Sequence, residues 1–249
     1  MVKLSKVVSL LNKEIQIKNP KDAWCKNGLQ VRGKEDVTKV GLSTDACMDV
    51  FRKASRSGCD LVITHHGLFQ PKESKYDAKI NAAKKRFLVS KKISLYSAHL
   101  PLDKNRKYGN NVLLCRLMGA EPKWVFDRVG YVGQLPNGKS IKELANRLRR
   151  SLKSKVNVYS FGKTRNIRKV TVCSGYGGGD VPEAIANKAE IYVTGEISHG
   201  VLVKIRDSKL SVITAGHYAT ETLGVKEIGR MLKEKLGLEV IFIDSPTGM

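Results

Sequence analysis

Apolar and polar positions follow two rhythms along this chain. Short apolar runs bounded by turn residues predict strands at Val37–Leu42, Asp60–Thr64, Ile93–Ala98, Val156–Phe161, Lys169–Cys173, Glu190–Thr194, Leu210–Thr214 and Glu239–Ile243. Between them, apolar residues spaced at helical period predict helices over Lys3–Glu14, Ala46–Ser57, Lys79–Ser90, Asn110–Met118, Ile141–Leu152, Val181–Lys188, His199–Asp207 and Glu221–Leu236. Alternation of the two implies an α/β fold. The helix over Ile141–Leu152 is the best marked. Ser140-Ile141-Lys142-Glu143 reads as a capping box, and Ile141, Leu144, Leu148 and Leu152 form one apolar stripe. Pro136-Asn137-Gly138, just before it, reads as a turn.

The pattern also repeats. Val40 to His66 overlies Val170 to Glu196 at a constant offset of 130 residues, so Asp60-Leu61-Val62-Ile63-Thr64 falls on Glu190-Ile191-Tyr192-Val193-Thr194. The next strands match as well, Ser94 to His99 against Ser211 to Ala215, with His217 following after one extra residue. Each is followed by an acid four positions on, Asp103 or Glu221. This predicts two related α/β units, residues 1–126 and 127–249, with the seam in Glu121–Arg128 and the C-terminal segment packing on the first unit.

Composition narrows the class. A chain of 249 residues with 41% hydrophobic content can bury a substantial core, and its longest apolar stretches are of strand length, too short to span a membrane. The N-terminus reads as an amphipathic helix with no cleavage signature, which leads to the expectation of a cytoplasmic protein. Five widely spaced cysteines, Cys25, Cys47, Cys59, Cys115 and Cys173, contain no C-x-x-C pair. They read as reduced thiols, so any metal here is held by nitrogen and oxygen. Charge is the unusual feature: 45 basic against 23 acidic residues, a net of +22. Residues 139–169 hold eleven Lys or Arg against Glu143 alone, and Lys72 to Lys92 is a second basic stretch. Such a balance favours polyanionic partners, though it also serves as a plain soluble surface.

The chemistry lies in the histidines. Only five occur, and four fall in three short patterns: Thr64-His65-His66-Gly67, His99-Leu100-Pro101-Leu102-Asp103 and His217-Tyr218-Ala219-Thr220-Glu221. Neighbouring strand residues point to opposite faces, so His65 and His66 serve one site only if the chain leaves the strand there, as Gly67 permits. His65, His66, Asp103, His217 and Glu221 together offer three imidazoles and two carboxylates, a set suited to Zn, Fe, Mn, Co or Ni. Five such ligands exceed the needs of one catalytic zinc and suit two divalent ions with a bridging carboxylate. Glu221 is the candidate bridge, because at i+4 it shares a helical face with His217. His99 reads as a supporting group or proton donor, since Pro101 between it and Asp103 bars simple helical geometry. Glu196 and His199 are candidates for a pocket rim, for acid–base work, or for a helix N-terminus. Gly175-Tyr176-Gly177-Gly178-Gly179 reads either as an anion-binding backbone nest or as a tight, closely packed turn.

Six segments together carry a resemblance over nearly the whole chain. They are Asn27-Gly28-Leu29-Gln30-Val31, Thr64 to Phe69, His99 to Asp103, Gly109-Asn110-Asn111, Thr194-Gly195-Glu196 with His199, and Gly216 to Glu221. In these the chain resembles the Nif-three-like proteins, the GTP cyclohydrolase I type 2 homologs, in their short form without an insert domain. The resemblance implies two α/β units with a dinuclear metal centre in the cleft between them, liganded by His65, His66, Asp103, His217 and Glu221. It further implies a ring-shaped homohexamer whose metal sites face its cavity. Lys104-Asn105-Arg106-Lys107 is more basic than the family's usual segment and would suit phosphates. The expectation is thus a metal-dependent hydrolase of a nucleotide or similar phosphate-bearing substrate, with His99, Glu196 or His199 moving protons. The alternative is a basic DNA-binding or scaffold protein with structural metals.

Overall fold

The apolar runs sort into two separate sheets. The computed structural model describes residues 1–18, 21–70 and 72–248. One unit takes Met1–Tyr108 and Gly224–Ser245, the other Gly109–Leu223 with the described residues from Pro246 onward.

The first unit runs β1 (Val2–Lys3), α1 (Leu4–Ile15), β2 (Gly28–Val31), β3 (Asp36–Val37), β4 (Lys39–Asp45), α2 (Met48–Arg56), β5 (Leu61–His66), α3 (Lys75–Ser90), β6 (Ser94–Ser97) and α4 (Leu100–Lys104). The second runs α5 (Asn110–Met118), β7 (Glu121–Phe126), β8 (Gly130–Lys139), α6 (Ile141–Leu152), β9 (Asn157–Tyr159), β10 (Ile167–Tyr176), α7 (Val181–Ala186), β11 (Ile191–Glu196), α8 (His199–Asp207) and β12 (Ser211–Thr214). Then α9 (His217–Leu236) starts in the second unit and from Gly224 belongs to the first, to which β13 (Glu239–Phe242) also belongs.

In the first unit the sheet order is β13-β4-β5-β6-β2, with β2 antiparallel to β6 and the remaining pairs parallel. Both faces are covered, as a parallel sheet requires. Leu61 and Ile63 point to the face packed by Leu4, Val7 and Leu11 of α1 and by Ile228 and Leu232 of α9. Val62, between them, points to the face packed by Val50 and Phe51 of α2 and Leu88 of α3. Each such side chain contributes roughly 1.5–3 kcal/mol by burial.

In the second unit the order is β7-β8-β10-β11-β12-β9, parallel only across β10, β11 and β12. Val170, Val172, Ile191, Val193 and Ile213 bury against α5 and the apolar stripe of α6. The Ser140 hydroxyl accepts from the Glu143 N–H at 3.2 Å while the Glu143 carboxylate accepts from the Ser140 N–H at 2.8 Å, the capping box read from the sequence.

The two sheets share one construction. The order β4-β5-β6-β2 recurs as β10-β11-β12-β9 with the same polarities, and Val40 opposite Leu61 recurs as Val170 opposite Ile191. Asp60 Oδ2 accepts from the N–H groups of Thr38 and Lys39, and Glu190 Oε2 accepts from those of Arg168 and Lys169. Ser94 Oγ accepts from the Gly33 N–H at 2.9 Å, as Ser211 Oγ does from Gly162 at 2.9 Å.

Several expectations change. The division falls at Tyr108/Gly109 rather than in Glu121–Arg128, because Val112, Leu114, Cys115 and Met118 of α5 bury in the second core. The supposed seam is instead a β7–β8 hairpin. Pro136-Asn137-Gly138 lies within β8, at an irregularity where Gln134 opposes Lys169 but Lys139 opposes Ile167. A bulge tolerates a proline that a regular ladder would not. Helix α3 starts at Lys75, because the Ser74 hydroxyl accepts from the Asp77 N–H and caps it a turn early. Helix α9 likewise starts at His217, a turn before Glu221. No helix among the described residues is long and apolar enough to cross a membrane.

Candidate metal centre

In the first unit the site grows from the C-terminal ends of neighbouring parallel strands, where ligands of open α/β sheets collect. The β5 ladder with β6 ends at Thr64, but pairing with β4 continues to Asp45 opposite His66. The chain therefore stays in the strand through His66, contrary to the expected departure. Their rings nevertheless lie 4.8 Å apart, and the His99 ring lies 5.0 Å from His65 and 5.4 Å from His66. Gly67 allows a close approach rather than a special backbone angle. A Cβ there would sit 2.1 Å from Gln30 Nε2, the side chain whose Oε1 accepts from the Leu68 N–H.

Each of these rings is oriented through Nδ1. His65 is fully buried, and its Nδ1 is 2.9 Å from the Ala98 carbonyl. His66 Nδ1 is 2.8 Å from Asp45 Oδ1, and His99 Nδ1 is 2.9 Å from Asp22 Oδ2. An imidazole that donates from Nδ1 to a carbonyl or carboxylate keeps its lone pair on Nε2, the tautomer and orientation of a metal ligand. Ligand atoms of His65, His66 and His99 all lie within 4.8 Å of one another, a group that could hold a metal ion. Asp103, buried in α4, adds an oxygen 3.5 Å from His65 Nε2. The expectation that Pro101 bars helical geometry here is corrected: Pro101 stands in the first turn of α4, where no N–H is needed, and the Asp103 N–H reaches the His99 carbonyl at 3.2 Å.

Asp22 and Asp45 went unread in the sequence. Burial alone would raise the Asp22 carboxyl, but the His99 ring, the Trp24 N–H and the Asn27 amide outweigh it and hold it well below the usual carboxylate range. Asn27 also accepts from the His99 N–H at 2.7 Å, which gives that motif residue a positioning role. Asp45 closes an apolar strand run, a position that could have marked it. Asp22 lies outside any periodic segment and offered no such signal.

In the second unit the polar group is built on the start of α9. His217 Nε2 is 3.1 Å from Glu221 Oε2, one helical turn on, and His217 Nδ1 is 2.8 Å from Glu196 Oε1 at the end of β11. The Glu221 hydrogen bond is the main reason the His217 pKa is pushed up to about 9; burial opposes it and Glu196 adds to it. Glycines make the room. Gly175 has φ +63°, and a Cβ there would meet Glu221 Oε1 at 2.0 Å. The Gly175 N–H donates to Thr220 Oγ1 and the Gly177 N–H to Thr194 Oγ1, both at 3.0 Å. Of the two readings of the Gly-rich segment, the closely packed turn is the one realised at these two amides. Asn111, fully buried, pins the adjoining strand end by accepting from the Ser174 N–H and donating to the Val129 carbonyl. His199 opens α8 and is exposed.

These sets of imidazole nitrogen and carboxylate oxygen, without thiolate, match the preferences of borderline divalent cations. Comparison with known proteins identifies the family. Residues 2–248 match the family model Duf34/NIF3 (NGG1p interacting factor 3). A curated relative from Pyrococcus abyssi, a GTP cyclohydrolase 1 type 2 homolog, is 41% identical over 249 residues, covering 98% of each chain. The crystal structure of TTHA1606 from Thermus thermophilus is similar throughout both chains, at a TM-score of 0.92 and 35% identity. The solved structure of reduced HcgD from Methanocaldococcus jannaschii is similar over 98% of each chain, at a TM-score of 0.84 and 28% identity. With the family model matching nearly the whole chain and relatives similar from end to end, the chain belongs to the DUF34/NIF3 family.

Proposed function

We propose that His65, His66 and Asp103 of the first unit and His217 and Glu221 of the second ligate one pair of divalent cations. The protein is then a metal-dependent hydrolase of a nucleotide or similar phosphate-bearing substrate. The observation that carries this reading is the Nδ1 engagement of His65, His66, His99 and His217, each by a carbonyl or carboxylate. Bound divalent ions would lower the pKa of coordinated water and polarise the electrophile. The chain supplies the rest. Asp22 fixes His99 so that its remaining ring nitrogen can hold or pass a proton beside His65 and His66. Glu196 orients His217. Lys104, Arg106 and Lys107, which follow Asp103 in the chain, would orient phosphate. His199 is a candidate rim residue. The name carried by the curated relatives makes GTP the first substrate to test.

Protein purified without chelator should contain divalent metal by elemental analysis and turn over GTP or another nucleotide. Chelation should abolish that turnover and metal should restore it. His65→Ala and His217→Ala should each remove it and each lower metal content. Turnover that survives chelation, or metal content indifferent to both substitutions, would overturn the reading.

A further inference from the structure

The second basic stretch of the chain, Lys72 to Lys92, holds helix α3, which the metal chemistry does not use. This helix is buried at one end. Leu88 joins the core of Val50, Phe51 and Val62, while residues 75–80 are all exposed, Tyr76 at 74% and Ile80 at 38%. Tyr76, Ile80, Ala83 and Phe87 follow one another at intervals of four, three and four residues, so they share one helical face. Ala83 is exposed and Phe87 is half-buried against the core, so the stripe runs outward from Phe87 into solvent.

At about 100° per residue these four positions span about 60° of the helix, the narrow seam of a helix-on-helix contact. A helix that beds in a lipid interface presents a broader apolar face. Written as heptads, Tyr76 and Ala83 take d and Ile80 and Phe87 take a, which sets Lys79 and Arg86 at g and Asp77 and Lys84 at e. Nearby acids are engaged: Asp77 accepts from the Ser74 hydroxyl and Glu73 from the Asn81 amide. Lys79, Lys84 and Arg86 have no acidic partner among the described residues. A second copy of this helix would be repelled. In a parallel pair Lys79 would meet Lys84, and in an antiparallel pair Lys79 would meet Arg86. Glutamates in those places turn the same repulsion into attraction, which selects the partner by charge.

We propose that this face of α3 docks an acidic amphipathic helix of another protein. Apolar residues of that helix cover Tyr76, Ile80, Ala83 and Phe87, and its glutamates meet Lys79, Lys84 and Arg86. The test is fluorescence anisotropy of the full-length protein with two labelled heptad-repeat peptides. Both carry Ile at a and Leu at d; one has Glu at every e and g, the other Lys. The acidic peptide should bind, more weakly as KCl is raised, and the basic one should not. Ile80→Asp should weaken binding at least about tenfold by placing a charge in the seam. Lys79→Glu, Lys84→Glu and Arg86→Glu together should reverse the preference to the basic peptide, a gain that misfolding cannot produce. Lys85→Glu, at f and off the seam, should leave binding of the acidic peptide within about twofold. No binding of the acidic peptide at low salt, equal binding of both peptides, or an unreversed preference in the triple variant would each overturn the proposal. So would a change of oligomeric state in Ile80→Asp by sedimentation, since the face would then be covered by a second copy. Binding to phosphatidylserine-containing vesicles that Ile80→Asp abolishes would assign the face to a membrane instead.

Discussion

Where the two sheets are built alike, their strand ends are used differently. At the 130-residue offset His65 and His66 of β5 stand against Gly195 and Glu196 of β11, and Asp45 of β4 against Gly175 of β10. In the first unit the strand end supplies the imidazoles and the neighbouring strand a carboxylate that orients one of them. In the second the strand end is emptied. A Cβ at Gly195 would lie 2.6 Å from the Gly175 carbonyl oxygen and 2.8 Å from His217 Cα, so the bare backbone lets the start of α9 come close. The orienting carboxylate now sits on the strand, as Glu196, and the imidazole on the helix. One scaffold thus presents the same pair of groups from exchanged positions.

The sharpest way to break this comparison is to remove the orienting carboxylates. Asp45→Ala and Glu196→Ala should each lower metal affinity about 10–100-fold, read by competition with a chelating dye. If either is silent, the two carboxylates do not play matching roles. Next is the space they leave. Gly195→Ala should cost about 1–3 kcal/mol in denaturant unfolding, because backbone rather than a flexible side chain blocks the new methyl. Gly179→Ala, with nothing within 4 Å, should leave stability nearly unchanged.

A smaller difference concerns the helix after the first repeated strand. The offset sets Asp180 against Val50, fully buried in the first unit. Burial pushes the Asp180 carboxyl up from 3.8 to about 7, with Asp127 adding to the rise and Cys173 opposing it. The folded chain therefore keeps a proton that the unfolded chain has lost between those values. Asp180 favours folding least once pH has risen through about 7, and its penalty vanishes below about 4. Asp180→Asn should raise the melting temperature at pH 8 and leave it unchanged at pH 4; an equal shift at both would remove the titration from the explanation. Smallest is the cap. Helix α1 begins without a side-chain cap while α6 has its capping box. Ser140→Ala should make them alike at a cost of about 1 kcal/mol in thermal unfolding.

Much of this was legible in the chain. The boundaries of α5, α6 and α8 agree with their predicted spans because helical periodicity, with the capping box of α6, is a local signal. The parallel core strands were found because a strand buried on both faces must be apolar throughout. The β7–β8 hairpin escaped because Gly130, Gly133, Pro136 and Gly138 interrupt its alternation. Asp22 and Asn27 escaped because their partner His99 lies far along the chain, 77 and 72 residues away.

By itself, then, the sequence determined the α/β class, the repeated strand pattern and the scarce histidines placed at strand and helix ends. Those follow from periodicity and residue chemistry, which need no third dimension. Only the tertiary structure decided which carboxylate or carbonyl each Nδ1 meets, where the unit boundary falls, and that Gly175 and Gly195 are empty to admit a helix. Such pairings depend on the packing of segments distant in sequence, and no local pattern records them.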